Sequence, residues 1–189
     1  TVVGRGLIRR IDPADVRREF AAQLERVIRI GVPVTHLDTH QHVHLWPSIG
    51  KVVAQLAVSR GIPAVRVPRS RRKHPIRIGV NLLSAQLRRQ VARAGLRTTG
   101  DYAGLDEAGS FFGATFIQTL QNLADVPDAV LAVEINAHPG EVDDELHRFD
   151  WGYHWAEELG QLTDPDTRAL IERLGFRTAP FPALSTPLT

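Results

Sequence analysis

Short apolar runs alternate along this chain with longer segments of helical periodicity, and that alternation is the strongest constraint on its fold. Pro33-Val34-Thr35-His36-Leu37 reads as a short strand and Ala64-Val65-Arg66-Val67 as a short buried one. Val130-Leu131-Ala132-Val133-Glu134-Ile135 is continuous, apolar and β-branched, the pattern of a strand covered on both faces. Helical patterns fill the intervals. Asp12-Pro13 offers an N-cap and an N1 proline, after which Val16, Phe20, Leu24, Val27 and Ile28 recur at helical spacing up to Gly31. A second helix follows Pro47, with Ile49, Val52, Val53 and Leu56 on one face, and ends near Gly61. Further helices are predicted over 80–94, over 114–123, and from Asp164-Pro165 to about Leu174. The segments 101–113 and 141–160 read as irregular, Phe176-Arg177 as the start of a last strand, and the tail after Pro180 as loose. Strands alternating with helices predict a parallel α/β organisation, here one domain over 1–189, with its chemistry at the carboxyl ends of the strands.

One of those ends carries an unusual run, Thr35-His36-Leu37-Asp38-Thr39-His40-Gln41-His42-Val43-His44. Four of the eight histidines and one carboxylate, at positions 36, 38, 40, 42 and 44, share one parity. In an extended backbone successive side chains alternate faces, so His36, Asp38, His40, His42 and His44 would point the same way. Neutral imidazoles and a carboxylate converging on one point suit a divalent metal. An open catalytic site uses about three protein ligands and leaves a position for water, so the others would orient ligands or contact substrate. A helical arrangement of His36, His40 and His44 is disfavoured by Pro33, Thr35 and Thr39.

The strand 130–135 leads into Asn136-Ala137-His138-Pro139-Gly140. A histidine held between a buried strand and a tight turn is placed to protonate a leaving group, though it could simply close the strand. Glu134 shares its parity and faces the same side or pairs with an arginine. Arg66, in the middle of a buried strand, needs a carboxylate or a substrate oxyanion. Trp151, Tyr153 and Trp155 alternate in a loop, suited either to stacking on sugars or to packing a lid.

Composition excludes other chemistry. The chain has no cysteine, so disulfides, thiolate metal sites and a cysteine nucleophile are absent, in keeping with a cytoplasmic enzyme. No apolar stretch is long enough for a membrane span and no leader pattern is seen. The net charge of +2 gives no general case for nucleic acid binding. The basic stretch Arg69-Ser70-Arg71-Arg72-Lys73-His74-Pro75-Ile76-Arg77 has no interleaved aromatic residues; it is solvated or meets an anionic substrate. With no methionine in 189 residues, Thr1 is expected to be internal to a longer protein. From the residues alone the expected chemistry is metal-assisted hydrolysis, with amides, esters and phosphoesters all open.

The motifs also carry a resemblance. His36-Leu37-Asp38-Thr39-His40-Gln41-His42-Val43-His44 resembles the HxDxHxHxH signature of the YdjC-like carbohydrate deacetylases. Ala64 to Pro68 is similar to that family's Arg-bearing strand, and Gly104-Leu105-Asp106-Glu107-Ala108-Gly109 to its Gly-Leu-x-x-x-Gly segment. Glu134-Ile135-Asn136-Ala137-His138-Pro139-Gly140 and the stretch from Trp155-Ala156-Glu157-Glu158-Leu159 to Leu162 resemble two further elements. The resemblance implies a divergent, incomplete (β/α) barrel of the glycoside hydrolase/deacetylase type. It implies removal of N-acetyl groups from amino sugars such as chitooligosaccharides, with a subgroup associated with hopanoid biosynthesis. The implied cofactor is a divalent metal, Mg2+ first and Zn2+ as the alternative. Carried over residue by residue, His40 is the metal ligand and His138 the catalytic acid. His36, Asp38, His42, His44, Arg66 and Glu134 support them or bind substrate. The expected partner is a small amino sugar, with a homo-oligomer left open. The family's Asp-Asp-Phe-Gly and Gly-x-His-x-x-Leu segments, sources of the base and further ligands, do not occur in this sequence and are expected upstream of Thr1. Another metal hydrolase, such as a phosphoesterase, and a truncated non-catalytic binding module are the competing readings.

Overall fold

The structure is a computed structural model that describes residues 11–125 and 132–182. Helix α1, Pro13–Arg29, begins as its sequence dictates: the Asp12 carboxylate accepts from the Ala14 N–H at 2.8 Å and Pro13 needs no partner for the N–H it lacks. Strand β1, His36–Leu37, follows, then a tight 3-10 segment at His40–Leu45 and helix α2, Pro47–Ser59. Next come β2 (Ala64–Val65), α3 (Pro75–Arg93), β3 (Asp101–Ala103), α4 (Gly113–Ala124) and β4 (Val133–Ile135). A 3-10 turn at Leu146–Arg148 precedes α5 (Trp155–Thr163) and α6 (Pro165–Arg173).

Every strand pairing is parallel and follows chain order. β1 pairs with β2 (His36 opposite Ala64, Leu37 opposite Val65) and β3 with β4 (Tyr102 opposite Glu134). A parallel bridge from Ala64 to Arg97 ties β2 to the chain entering β3. This is the α/β organisation expected, with α2, α3 and α4 as crossovers. Among the described residues it amounts to two two-stranded sheets, with no closed barrel. Consecutive parallel strands place their carboxyl ends, and the loops that follow, on one side.

Two apolar clusters support the strand pairs. Leu24 from α1, Ile49, Val53 and Ala57 from α2, and Leu87 and Val91 from α3 bury against Val65 and Val67. Phe111, Phe116, Leu120 and Leu123 bury beside Ala103, with Leu170, Ile171 and Phe176 packed against them. The α2 face was legible in the sequence. In α1 it was legible only in part: Val27 and Ile28, counted toward the same stripe, are exposed.

Several boundaries differ from the expectation. Strands β1 and β2 are two residues each, because backbone pairing ends where the site loops begin. Residues 101–103, read as loop, form the fully buried β3; Asp101 hid it, since a carboxylate there is paid for by Arg71 (2.7 Å) rather than by water. Helix α3 starts at Pro75, with that proline at N1, instead of near Val80. Helix α5 begins at Trp155, inside the segment read as irregular. Phe176 and Arg177 form no strand; Phe176 packs on the second core. The residues expected at the start of β4, Val130 and Leu131, and the tail beyond Phe181-Pro182 lie outside the described residues.

The basic stretch is anchored by acids. The Asp106 carboxylate, 2% exposed, accepts from Ser70 Oγ at 2.8 Å and from the Arg71 N–H at 2.7 Å, and Arg77 Nε lies 3.3 Å away. Arg69 and Arg71 meet Asp101. Three of the loop's arginines are thus committed to buried carboxylates. Asp106→Ala would leave several donors unanswered in a buried setting, and is expected to cost about 3 kcal/mol in urea unfolding. A loss below about 0.5 kcal/mol would show that water replaces the carboxylate.

Candidate functional site

The His-rich run does not stay extended. Thr39 is the last residue with strand-like angles (φ −136°, ψ 145°), and Gln41 and His42 then take φ of 52° and 54°. Two adjacent non-glycine residues in the left-handed region are unfavourable, by about 1–3 kcal/mol each. The turn inverts the expected alternation, so the five parity-matched side chains do not share one face. That corrects the sequence argument at its central step, and it gives each residue a different task.

His44 is the lock that holds the turn. It is fully buried. Its Nε2 sits 2.9 Å from the Arg66 carbonyl, which can only accept, so Nε2 carries the hydrogen. Nδ1 is then the acceptor for the Thr39 hydroxyl at 2.5 Å, and the His44 N–H donates to the same oxygen at 3.1 Å. Both ring nitrogens are occupied, so His44 is no free ligand. Burial pushes its pKa down to about 4. His36 is also accounted for: its ring stacks on Phe181 at 3.8 Å and 7°, and Nδ1 meets Thr35 Oγ1 at 3.0 Å.

Arg66, at the end of β2, joins three strands. Its Nη1 donates to Asp38 after β1 and its Nε to Glu134 on β4. The two carboxylates answer the question that the sequence left open for Arg66. Burial pushes the Asp38 carboxyl up, but His42, Arg66, the Thr39 backbone and His44 together hold it below its ordinary value. Burial also pushes Glu134 up, and here it outweighs the pull of Arg66. Burial works against the charge of Arg66, yet Glu134 and Asp38 more than restore it.

His42 stands against Tyr102, ring to ring at 6.0 Å and 90°, with Nε2 3.5 Å from the phenol oxygen. Its Nδ1 lies 3.6 Å from Asp38 and has no hydrogen-bond partner. His138, after β4, is gripped through its backbone: the N–H donates to Glu158 at 2.5 Å, and Glu158, fully buried on α5, also takes the Phe111 N–H at 3.1 Å. The ring packs edge-on to Tyr153 at 5.0 Å. Burial lowers its pKa against the opposing pull of Glu158, with His42 and Arg66 lowering it further. His40 is the remaining member. It is exposed, no hydrogen bond to its ring is found among the described residues, and the ring lies 6.5 Å from that of Trp151.

Three buried polar atoms in this cluster lack partners: His42 Nδ1, Glu134 Oε2 and His138 Nδ1. Unsatisfied buried groups concentrated in one place mark a site that meets something else. They do not complete a cation site, however: no group of three or more His, Asp or Glu side chains among the described residues is disposed to hold a metal ion. Two open concavities, of about 430 Å³ by α5 and α6 and about 310 Å³ beside α3, lie away from the cluster. Sequence reasoning missed Tyr102, because its strand was read as loop, and Thr39 and Glu158, because buried hydrogen bonding to backbone leaves no periodic signal.

Comparison with known proteins places the chain among relatives. Residues 3–173 match the family described as YdjC-like protein. The chain is 30% identical over 168 residues to a chitooligosaccharide deacetylase of Salmonella typhimurium, covering 88% of this chain and 60% of that one. It is 32% identical over 160 residues to a carbohydrate deacetylase of Clostridium beijerinckii, covering 83% and 56%. It therefore spans about 60% of the length of these curated relatives. In fold it is similar to a crystal structure from Enterococcus faecalis V583 described as a cellobiose-phosphate cleavage protein, with a TM-score of 0.74 at 20% identity, covering 95% of this chain and 64% of the other.

The lock at His44 has a pH signature. With a folded pKa near 4 against 6.5 for the free imidazole, the unfolded chain binds a proton that the folded chain refuses. Its contribution is complete above pH 6.5 and is lost as pH falls toward 4, in all by about 3 kcal/mol. In His44→Gln, unfolding free energy measured between those limits is expected to vary less with pH than in the parent. An unchanged pH slope would contradict a neutral, doubly bonded His44.

Proposed function

The chain belongs to the YdjC-like family, and from that premise we propose that it acts in metal-dependent hydrolysis, removing N-acetyl groups from amino sugars of the chitooligosaccharide type or a related glycoside. The names of the relatives support the substrate class. One observation carries the reading on this chain's own residues. Of the five histidines at 36, 40, 42, 44 and 138, His36 and His44 are committed to the scaffold, whereas the His40 ring makes no hydrogen bond among the described residues and follows Asp38 by two positions, and His138 Nδ1 is buried without a partner within the field of Arg66 and His42. The same reading takes β1 to β4 as consecutive staves of a divergent (β/α) barrel of the glycoside hydrolase/deacetylase type, supported by parallel pairing in chain order. A cytoplasmic setting belongs to the proposal and rests on the absence of cysteine; no helix among the described residues is long and apolar enough to cross a membrane.

In this scheme His40 is one ligand of a divalent cation, Mg2+ first and Zn2+ as the alternative, with donors beyond those the described residues assemble. Such a cation supplies Lewis acidity toward an amide carbonyl and a more acidic water. His138 handles the proton. Its lowered pKa makes the imidazolium a stronger acid, able to pass its proton to the departing amine nitrogen. The Glu158 carboxylate, bonded to the backbone N–H, fixes where the imidazole sits. Arg66 offsets the charges of Asp38 and Glu134 and fixes both carboxylates beside the strand ends.

In the protein expressed from the whole gene, His40→Ala is expected to lose tight metal binding, measured by elemental analysis after desalting, and to reduce turnover of N-acetylated chitooligosaccharides to background. His138→Ala is expected to keep its metal and lower kcat by about 10²–10⁴-fold. Unchanged metal content and turnover in the first variant would remove His40 as a ligand. An unchanged kcat in the second would remove His138 as the acid.

A further inference from the structure

The aromatic residues at 151, 153 and 155 separate into two groups. Tyr153 is half-buried and lies against Gly109, whose φ of +80° and close approach leave no room for a Cβ beside the ring. Trp155 is half-buried too, opens α5 and packs over Gly140. These two pack against the backbone of neighbouring loops. Trp151 is different. It is 49% exposed, and its ring meets that of Phe149, 45% exposed, at 4.9 Å. Neither belongs to either apolar core.

Their position is specific. Trp151 lies 6.5 Å from His40 on one side and 5.7 Å from Tyr153 on the other, and Tyr153 in turn contacts His138. Gly152, at φ +65°, turns the chain between Trp151 and Tyr153, whose rings meet at 68°. An exposed aromatic pair at the edge of a polar cluster is a binding surface more readily than a packing remnant. Electron-rich ring faces attract the polarised C–H groups on the apolar face of a pyranose, while the sugar's hydroxyl edge is left for charged neighbours.

We infer that Trp151 and Phe149 form a sugar-stacking subsite that takes the pyranose ring next to the one carrying the reacting acetamido group. The inference rests on the deacetylase reading and deepens it: the preferred ligand is an oligosaccharide of at least two rings, and Trp151 sets that preference. Trp151 stands between His40 and the Tyr153 ring that contacts His138, so the second ring would lie along the edge that links the two histidines.

Binding can be read apart from catalysis. Calorimetric titration of the whole-gene protein with N,N′-diacetylchitobiose and with N-acetylglucosamine is expected to give tighter binding of the disaccharide. Trp151→Ala is expected to weaken the disaccharide about tenfold and leave the monosaccharide unchanged. Phe149→Ala serves as a second variant with a smaller loss, and Trp155→Phe as a control that keeps wild-type preference. Equal affinity for the two sugars in the parent, or undiminished disaccharide binding in Trp151→Ala, would overturn the subsite. Acetate release with unaltered kcat/KM for the disaccharide in Trp151→Ala would also overturn it while leaving the deacetylase reading standing. Trp151-dependent binding without any acetate release would do the reverse.

Discussion

The guanidinium of Arg66 is the interaction on which the rest of the site depends. It binds carboxylates that arrive on two other strand ends, Asp38 after β1 and Glu134 on β4. The same residue's carbonyl takes the Nε2–H of His44, and its N–H donates to the Leu37 carbonyl at 3.0 Å. One position therefore connects β1, β2, β4 and the 3-10 turn. Burying a lone arginine would be costly, and burying a lone Asp38 or Glu134 would be too; the three are tolerable only together. The pairing also couples the two apolar clusters, since Leu37, next to Asp38, packs on the first and Val133, next to Glu134, on the second.

A division of labour among the histidines follows from that hub. His44 gives both ring nitrogens to the scaffold and stabilises a backbone turn that is otherwise unfavourable. His36 stacks on Phe181. His42 leans on Tyr102 beside Asp38. His40 and His138, from segments nearly a hundred residues apart, are the two to which the proposed reaction gives ligand and proton roles, while His42 keeps an unpartnered Nδ1 beside them. The basic loop, a candidate for anionic substrate, instead commits Arg69, Arg71 and Arg77 to Asp101 and Asp106, which weakens the phosphoesterase alternative.

Much of the order of elements, and the placement of His36, Arg66, Glu134 and His138 in or just after strands, was legible in the sequence, because both follow from hydrophobic period and from Pro and Gly punctuation. The Asp12 cap, the buried face of α2 and the parallel pairing of 36–37 with 64–65 bear this out. The disposition of the His run was not legible. Parity is informative only while the backbone stays extended, and Gln41 and His42 leave it for reasons that lie in tertiary contacts of Thr39, His44 and Arg66. Strand β3 was missed for a related reason: Asp101 looks like a turn residue until Arg71 is seen beside it. Glu158 carries no sequence signal of its role, since its work is to accept two backbone N–H groups from distant segments.

The most direct measurement supplies the whole-gene protein, with a divalent cation present, with an N-acetylated chitooligosaccharide and in parallel with a sugar phosphate ester. Acetate, free amine and inorganic phosphate are then quantified. The account predicts acetate and amine in equal amounts from the first substrate and no phosphate from the second. Phosphate release without acetate, or no product from either, would contradict it.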